Sequence, residues 1–351
     1  MNPLSTVYSK ATFVAVVGAA SISVAAHADA VSDFYSGKQI TIAVGFGAGG
    51  GYDTTTRIMA RHFAQHIPGN PTIVVQNMPG GGSMKLANYL YNAAPKDGTF
   101  LGVISASISL EPLFGNKKAK FDTLKFQWIG SLHRETLACG VWKKANTGVN
   151  TLEDLIKSKK TIIFGATSAG SPTSQHVVFL KNMFGANVKV VTGYKGTKGV
   201  NLAMQRGEVD GTCGMFESAI TGPYARDVKS GDLILFTQFG HEKRPGFGNA
   251  TMMYDHLKSD DDRKIADLIF RQSVLARPLT APPDTPKERV AALRQALLAT
   301  MHDRELIKDA KKIKVTFNPV PGAEVTQIFR DFLSTPPDLV KKTRQITNLK
   351  K

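Results

Sequence analysis

The sequence has little cysteine, and it lacks long apolar runs beyond its first 30 residues. Two cysteines in 351 residues, with no CxxC pair, exclude a disulfide-dense miniprotein and a zinc ribbon. Cys139 and Cys213 either form one bridge or remain two buried thiols, and the sequence slightly favours the thiols. No stretch after residue 30 approaches the roughly 18 continuous apolar residues of a membrane helix, so we expect a soluble mature chain.

Motifs of several common catalytic and nucleic-acid-binding classes are also missing. The sequence has no GxxxxGK[ST] loop, no GxSxG elbow, no helix-turn-helix and no zinc finger. GFGAGGG contains one GxGxxG match, but the acidic residue expected about 20 residues later is absent. His62 and His66 lie on one predicted helix, yet HFAQH lacks the glutamate of HExxH, which favours a solvated helix face over a metal site. We therefore expect no cofactor, no metal and no nucleic acid.

Positive charge is in excess. Lys and Arg number 44 against 28 Asp and Glu, which gives a formal net charge of +16. A content of 42% hydrophobic and 21% charged residues is typical of a folded globular chain, and this length favours two domains. The charge indicates an anionic partner: a nucleic acid, a membrane surface or a small acid. Without a nucleic-acid motif, the first of these is not favoured.

The first 30 residues are predicted to be a signal peptide. Lys10 precedes an apolar run from Ala11 to Ala26, and small residues then surround candidate cleavage sites at Ala28 and Ala30. This order of charged, apolar and small residues is typical of secretory signal peptides. The alternative is a membrane anchor, but the run is short for a bilayer and is interrupted by glycine and serine. Export is therefore expected, with cleavage near residue 28 or 30.

Beyond the signal peptide, strand-like runs alternate with amphipathic helical patterns. This alternation predicts an α/β fold with largely parallel sheets. The tail is predicted to be mainly helical, and the proline-rich stretch at residues 276–286 is predicted to be a connection. The predicted strands are residues 39–44, 72–75, 100–104, 161–164, 188–191 and 314–317, with a short strand or turn at 208–213.

Four glycine-rich or hydroxyl-rich turns lie between a predicted strand and the helix that follows it, at residues 45–53, 77–83, 167–174 and 193–196. In α/β sheets such turns gather at the carboxyl ends of the strands, where ligands bind. Glycines allow backbone amides to approach a ligand, and helix starts offer unpaired N–H groups to anions. A single turn of this kind more often serves only to connect a strand to a helix, without contacting a ligand. Several such turns together predict an anion-binding site. Asp53 is interpreted as a helix-start residue rather than a base.

The order and spacing of these segments are similar to one family. ITIAVGFGAGGGYDTTTRIMARHF, PTIVVQNMPGGGSMKLANYLY, APKDGT and VTGYKGTKGVNLAMQRGEVDG follow one another along the chain. This pattern resembles the periplasmic solute receptors of tripartite tricarboxylate transporters, the Bug receptors, over essentially the whole mature chain. Two departures are visible: the family commonly has proline where Gly45 and Ala48 stand, and a smaller residue where Tyr52 stands.

The resemblance implies a two-lobed periplasmic-binding-protein-like fold of type II, with a ligand cleft between the lobes. The expected division is residues 31–134 plus 276–351 for lobe 1, and residues 135–275 for lobe 2. The first strand-helix loop and the loops of lobe 2 are expected to hold a carboxylate. Carried over by position, the ligand-binding residues are Phe46, Gly47, Ala48, Gly50, Tyr52, Asp53, Asn77, Ser105 and Ser107 in lobe 1, with Ser168, Gly170, Ser171, Thr173, Tyr194, Lys195, Gly196 and Asp210 in lobe 2.

The predicted function is that of a periplasmic, non-catalytic receptor that acts as a monomer. It is expected to capture an organic carboxylate (a di- or tricarboxylate, an amino acid or an aromatic acid) and to deliver it to two integral membrane transporter subunits. One alternative is an exported binding protein that senses its ligand for a signalling partner. Another is an exported α/β hydrolase, which would need a serine, a histidine and an acid to converge.

Overall fold

The chain folds around two separate β-sheets. The computed structural model describes residues 30–347 apart from residues 168, 170, 195, 314 and 316, so the predicted signal peptide up to residue 29 lies outside the described residues. Within this part of the chain, no helix is both long and apolar enough to cross a membrane. The strands are β1 (Gln39–Val44), β2 (Thr72–Asn77), β3 (Phe100–Val103), β4 (Gln127–His133), β5 (Leu137–Trp142), β6 (Ile162–Ala166), β7 (Val188–Thr192), β8 (Gly211–Phe216), β9 (Leu233–Gln238), β10 (Thr251–Met252), β11 (Ala276–Ala281) and β12 (Val320–Pro321).

Each sheet has six strands and is mixed. The first has the order β12-β4-β11-β3-β1-β2, and the second has the order β10-β9-β5-β8-β6-β7. In the first sheet β1 pairs in parallel with β2 and β3, whereas β11 runs antiparallel to β3 and β4. In the second, β6 pairs in parallel with β7 and β8, and β5 runs antiparallel to β8 and β9. The parallel pairs place the carboxyl ends of their strands on one edge of each sheet.

Helices cover both sheets and enclose their cores. They are α1 (30–35), α2 (Gly51–Phe63), α3 (Met84–Asn92), α4 (Ala106–Ser109), α5 (Leu152–Lys157), α6 (Pro172–Phe184), α7 (Gly196–Gln205), α8 (Glu217–Thr221), α9 (Ala225–Lys229), α10 (Asp260–Phe270), α11 (Lys287–Met301), α12 (Arg304–Lys312), α13 (Gly322–Leu333) and α14 (Pro337–Thr347). We call the first sheet with α1–α4 and α11–α13 the first lobe, because their apolar residues share its cores. The second sheet with α5–α10 and α14 is the second lobe.

The chain passes between the lobes three times. Residues 134–136 join β4 to β5, residues 271–275 lead from α10 to β11, and residues 334–336 join α13 to α14. Helix α14 packs on the second lobe, where Leu339 lies in the core and Asn182 of α6 donates a hydrogen bond to the carbonyl of Ile346 at 2.6 Å. The expected boundaries of the two domains stay a prediction.

Two predictions about secondary structure are wrong. The proline-rich stretch is not only a connection, because β11 occupies its first half, every residue of it buried, between β4 and β3. Proline is tolerated there since Pro278 still accepts a hydrogen bond from the backbone of Ile104 at 3.3 Å. The strand predicted at 314–317 does not form at Val315 or Phe317, and residues 314 and 316 lie outside the described residues. Instead, β12 pairs with β4.

A disulfide joins neighbouring strands of the second lobe. Cys139 in β5 and Cys213 in β8 are bonded, with their Cα atoms 4.0 Å apart, and 74 positions separate them in sequence. Both side chains are fully buried. The two cysteines therefore form the bridge, and the slight preference of the sequence for free thiols is wrong.

Candidate functional site

The first glycine-rich loop runs from β1 into α2. Gly50 is the N-cap residue of α2, and no side chain caps that helix start. The helix start therefore offers backbone N–H groups to an anion. The rings of Phe46 and Tyr52 lie 4.1 Å apart beside it, and Gly47 and Ala48 are exposed.

Asp53 holds this loop in shape. Its buried carboxylate accepts hydrogen bonds from the backbone of Gly49 at 2.9 Å, from Arg57 Nε at 2.8 Å and from Asn77 Nδ2 at 2.8 Å. The same Asn77 nitrogen donates to the carbonyl of Phe46 at 2.9 Å. Burial raises the pKa of Asp53, but the three hydrogen bonds outweigh it and hold that pKa below its usual 3.8. Asp53 and Asn77 thus position the loop, and the carboxylate is already occupied.

The depressed pKa of Asp53 makes the stability of the loop sensitive to acid. The contribution of this ionised carboxylate is complete above the unfolded pKa of 3.8 and is lost as the pH falls through the lower folded value. We expect Asp53→Asn to lower the free energy of unfolding by about 1–2 kcal/mol at pH 7. In urea unfolding between about pH 2 and pH 5, the variant should lose less stability with acid than the wild type. Asp33→Asn, at an exposed position, is the control. If the free energy of unfolding fell equally with decreasing pH in Asp53→Asn and in wild type, this role of Asp53 would be contradicted.

A second loop approaches the first one very closely at Gly45. A Cβ placed on Gly45 would overlap the side chain of Ser83 and lie 3.0 Å from its Cα. Ser83, at a φ of 80°, accepts a hydrogen bond from the backbone of Ser105 through its Oγ at 2.9 Å. The Oγ atoms of Ser105 and Ser107 are 2.7 Å apart. Glycine at position 45 thus fits the close approach of Ser83.

The substitution Gly45→Ala is expected to displace the loop that contains Ser83. The added Cβ should destabilise the protein by about 1–3 kcal/mol and should weaken ligand binding, because Ser83 positions Ser105. Gly47→Ala is the matched control, since a Cβ at Gly47 meets nothing within 4 Å. Thermal unfolding and calorimetry of both variants measure the effects, and equal behaviour of the two would contradict the prediction.

The second lobe contributes the start of α6. Ser171 is its N-cap residue and Pro172 follows in the first turn, as predicted. The Oγ of Ser171 lies 2.7 Å from Thr173 Oγ1, which accepts a hydrogen bond from the backbone of Thr167 at 3.0 Å. These hydroxyls lie at the carboxyl end of β6, on the edge of the sheet where the sequence predicts them.

His176, one turn further along α6, is an additional polar group at this position. Burial lowers the pKa of His176 to about 4, although a hydrogen bond to Pro172 raises it. The neutral ring must donate from Nδ1 to the carbonyl of Pro172, at 2.7 Å, because a carbonyl only accepts. Nε2 is then an acceptor, and it has no hydrogen-bond partner among the described residues. The site therefore contains a buried acceptor suited to a donor group of a ligand.

A cavity of about 30 Å³ lies between the lobes at this place. This volume is roughly that of one water molecule. Tyr52, where the sequence departs from the family pattern, lines the cavity. Its lining residues include Tyr52, Ser105, Ser107 and Ala276 of the first lobe, Pro172, His176 and Phe216 of the second, and Gln272 and Ser273 of a crossing segment.

A buried ion pair beside this cavity was not predicted from the sequence. Arg277 Nη1 lies 2.5 Å from Glu135 Oε1, and both side chains are at most 6% exposed. Glu135 also accepts from the backbone and hydroxyl of Ser218 at 3.1 and 2.9 Å. The Arg277 guanidinium lies 5.8 Å from the Tyr52 ring centroid and 5.5 Å from that of Phe216. Glu135 lies on the segment that joins β4 to β5, and Arg277 is the second residue of β11. Arg277 stands out in sequence because its neighbours are apolar, whereas Glu135 follows His133 and Arg134.

Several residues predicted to bind ligand are not brought together with the others. Asp210 lies at the amino end of β8, where its carboxylate accepts from the backbone of Ile163 at 2.8 Å, on the edge opposite to Ser171. Tyr194 packs into the core of the second lobe, and its pKa is raised by burial and by Glu208. Gly196 begins α7. Ser168, Gly170 and Lys195 lie outside the described residues.

His62 in α2 and His66 just after its end both contact the neighbouring helix. His62 Nε2 lies 3.1 Å from Asp309 and His66 Nε2 lies 2.9 Å from Asp303, both on or next to α12. Across the described ranges, no group of three or more His, Cys, Asp or Glu side chains is arranged to hold a metal ion. The pair of histidines thus ties two helices of the first lobe together.

Comparison with known sequences identifies a matching family model. The model described as "Tripartite tricarboxylate transporter family receptor" matches residues 56–342. A curated relative, the UPF0065 protein in the gbd 5' region of Cupriavidus necator, is 26% identical over 226 residues, 63% of this chain and 64% of the relative. The match thus spans just under two thirds of the length of that relative.

Solved structures share the fold. The periplasmic binding protein BugD superposes with a TM-score of 0.68 at 18% identity, over 89% of this chain and 98% of that one. MatC from Rhodopseudomonas palustris with bound malate gives 0.63 at 18% identity, over 86% and 99%. An R. palustris protein with adipate gives 0.65 at 17% identity, over 88% and 97%. At these identities the likeness shows the fold alone, the two-lobed α/β fold expected from the sequence.

Proposed function

Because the chain belongs to the family of tripartite tricarboxylate transporter receptors, we propose that it captures an organic carboxylate between its two lobes and delivers it to membrane transporter subunits. It acts in the periplasm, after cleavage of the signal peptide near residue 28 or 30. It is a binding protein and not an enzyme. The malate and adipate in two proteins of the same fold support a carboxylate ligand of similar size.

One observation supports this proposal most directly: residues at the starts of two helices, one in each lobe, line one cavity. Tyr52 at the uncapped start of α2 lines it from the first lobe together with Ser105 and Ser107, and Pro172 at the start of α6 lines it from the second. Each helix start contributes about 0.3–1 kcal/mol to an anion, and with hydroxyl donors several together can reach the roughly 8 kcal/mol of micromolar binding. A ligand that contacts both lobes stabilises their closed arrangement.

Of the residues carried over from the family, we propose a narrower binding set. Phe46, Gly50, Tyr52, Ser105, Ser107, Ser171 and Thr173 are proposed to contact or enclose the ligand, whereas Asp53 and Asn77 position the first loop. Asp210 and Tyr194 are left out, since their side chains bond or pack elsewhere. For the lobes we propose residues 31–134 with 276–333, and residues 135–275 with α14.

Calorimetry on the mature chain tests the proposal. The ligands are malate, adipate, citrate, glutamate and benzoate, chosen as di- and tricarboxylates, an amino acid and an aromatic acid. We expect at least one of them to bind at one site per chain with a dissociation constant on the order of micromolar. If none binds while circular dichroism shows a folded protein, carboxylate capture is wrong.

Two further measurements test the export of the protein and distinguish transport from signalling. Mass spectrometry of protein from the periplasm should give a mature chain that begins near residue 29 or 31. Co-purification of the ligand-bound receptor with two integral membrane subunits supports transport, whereas capture of a sensor protein instead would favour signalling.

A further inference from the structure

The guanidinium of Arg277 has binding capacity that the protein does not use. Its Nη1 donates to Glu135 at 2.5 Å and its Nη2 to Ser218 Oγ at 3.2 Å. The third nitrogen, Nε, is buried and has no hydrogen-bond partner among the described residues. Leaving a buried charged donor unpaired is costly, so an unpaired N–H inside a protein is a candidate contact for a ligand.

The backbone at Arg277 is also unusual. Its φ is 66°, in the left-handed region, although it lies within β11 and directly precedes Pro278. A residue of this type rarely adopts that conformation, and such strain persists only where the surroundings hold it. In the antiparallel pairing with β4, Ala276 lies opposite His133, so Arg277 lies near the end of β4, where the chain continues into the crossing that contains Glu135. The strain is thus located at one of the two segments that carry the ion pair.

The guanidinium lies against the first loop. Its Nη2 is 3.3 Å from the position that a Cβ on Gly51 would take, and Gly51 is the first residue of α2. The rings of Tyr52 and Phe216 both lie within 6 Å of its Cζ, and both line the cavity between the lobes. The guanidinium thus lies against the uncapped helix start and beside two aromatic residues that line the cavity.

We propose that Arg277 binds one carboxylate group of the ligand directly, side-on through Nε and Nη2, beside the start of α2. Glu135 accepts a hydrogen bond from Nη1 and so holds the opposite edge of the guanidinium. This inference rests on the proposed function, and it adds a charged contact to a site otherwise made of backbone amides and hydroxyls. A planar guanidinium binds a carboxylate through two parallel N–H···O bonds, which a lysine cannot reproduce.

The arrangement also limits the ligand. Arg277 and Glu135 neutralise each other, so the cluster carries a net negative charge once one carboxylate is bound, and a second carboxylate placed beside the first would be repelled. The subsite therefore accepts one carboxylate, and the rest of the ligand extends away from Glu135 toward the hydroxyls of Ser105 and Ser107. Citrate, with three carboxylates close together, is expected to bind more weakly than malate or adipate.

The test compares three proteins by calorimetry with malate, adipate and citrate. Glu135→Gln leaves one oxygen that can accept a hydrogen bond and removes the competing charge, so we expect severalfold tighter binding of the ligand that the wild type prefers. The double variant Glu135→Gln with Arg277→Met removes both charges together and avoids an unpaired buried carboxylate. It should bind that ligand at least about tenfold more weakly than wild type.

Arg134→Met is the matched control, because Arg134 lies on the same crossing but pairs with Glu324 at a half-exposed position. It should bind within about twofold of wild type. If the wild type binds one of the three ligands and the double variant binds it equally well, Arg277 does not contact the ligand while the receptor function stands. If the folded wild type binds none of the carboxylates, the proposed function fails, and this inference fails with it.

Discussion

Replacing Cys139 and Cys213 together by alanine is expected to lower the free energy of unfolding by about 4 kcal/mol. The bridge closes a loop of 74 positions, and a cross-link of that span removes about this much conformational freedom from the unfolded chain. Both sulfur atoms lie in the core of the second lobe, so the loss of packing adds to the effect. Urea unfolding of the wild type and the double variant measures it.

Reductant supplies the control for this prediction. The wild type in reductant should lose most of the same stability, whereas the double variant should be unaffected. A wild type that unfolds at the same urea concentration with and without reductant, and a variant that matches it, would show that the bridge does not stabilise the fold. Thiol titration of the unfolded wild type reports directly whether the cysteines are bonded.

Glu135→Ala is expected to destabilise the protein by about 3–5 kcal/mol, since it leaves the guanidinium of Arg277 buried without a counter-charge. Ser218 loses its hydrogen-bond acceptor at the same time. Both effects act where the crossing that contains Glu135 meets β11, so thermal unfolding should begin at a lower temperature in both lobes. Differential scanning calorimetry measures the shift.

The double variant Glu135→Met with Arg277→Met provides the comparison for Glu135→Ala. Apolar side chains of similar length remove both charges, and replacement of a buried pair in this way is often neutral for stability. We expect the double variant to lie within about 1–2 kcal/mol of wild type. A double variant as unstable as Glu135→Ala would mean that the shape of these side chains, and not their charge, determines stability here.

The alternation of strands and helices was predictable from local patterns. QITIAV is rich in β-branched residues and is followed by glycines, and β1 has the predicted bounds. Helix α6 begins at the predicted Ser171–Pro172 pair. Strand β11 was missed because its prolines suggest a connection, and its burial between β4 and β3 depends on pairing with strands far away in sequence. Local propensity contains no information about such pairing.

The sequence also predicted part of the candidate site, namely the residues that follow strands. Tyr52, Ser105 and Ser107 lie around the cavity because each follows a strand on the same edge of one sheet. Arg277 and Glu135 are 142 positions apart, and only the register of β11 against β4 brings them together. Asp210 was misplaced for the opposite reason: it belongs to a family motif, but it lies at the beginning of its strand and not at the end.

The three crossings between the lobes have a consequence for synthesis. The first sheet lacks its inner strand β11 until residue 281 has been made, and the core of the second lobe lacks Leu339 until the last helix has been made. Neither lobe can therefore complete its core on a partly made chain, and contacts between distant segments form slowly. Both lobes therefore lack their full tertiary packing while most of the chain is being made.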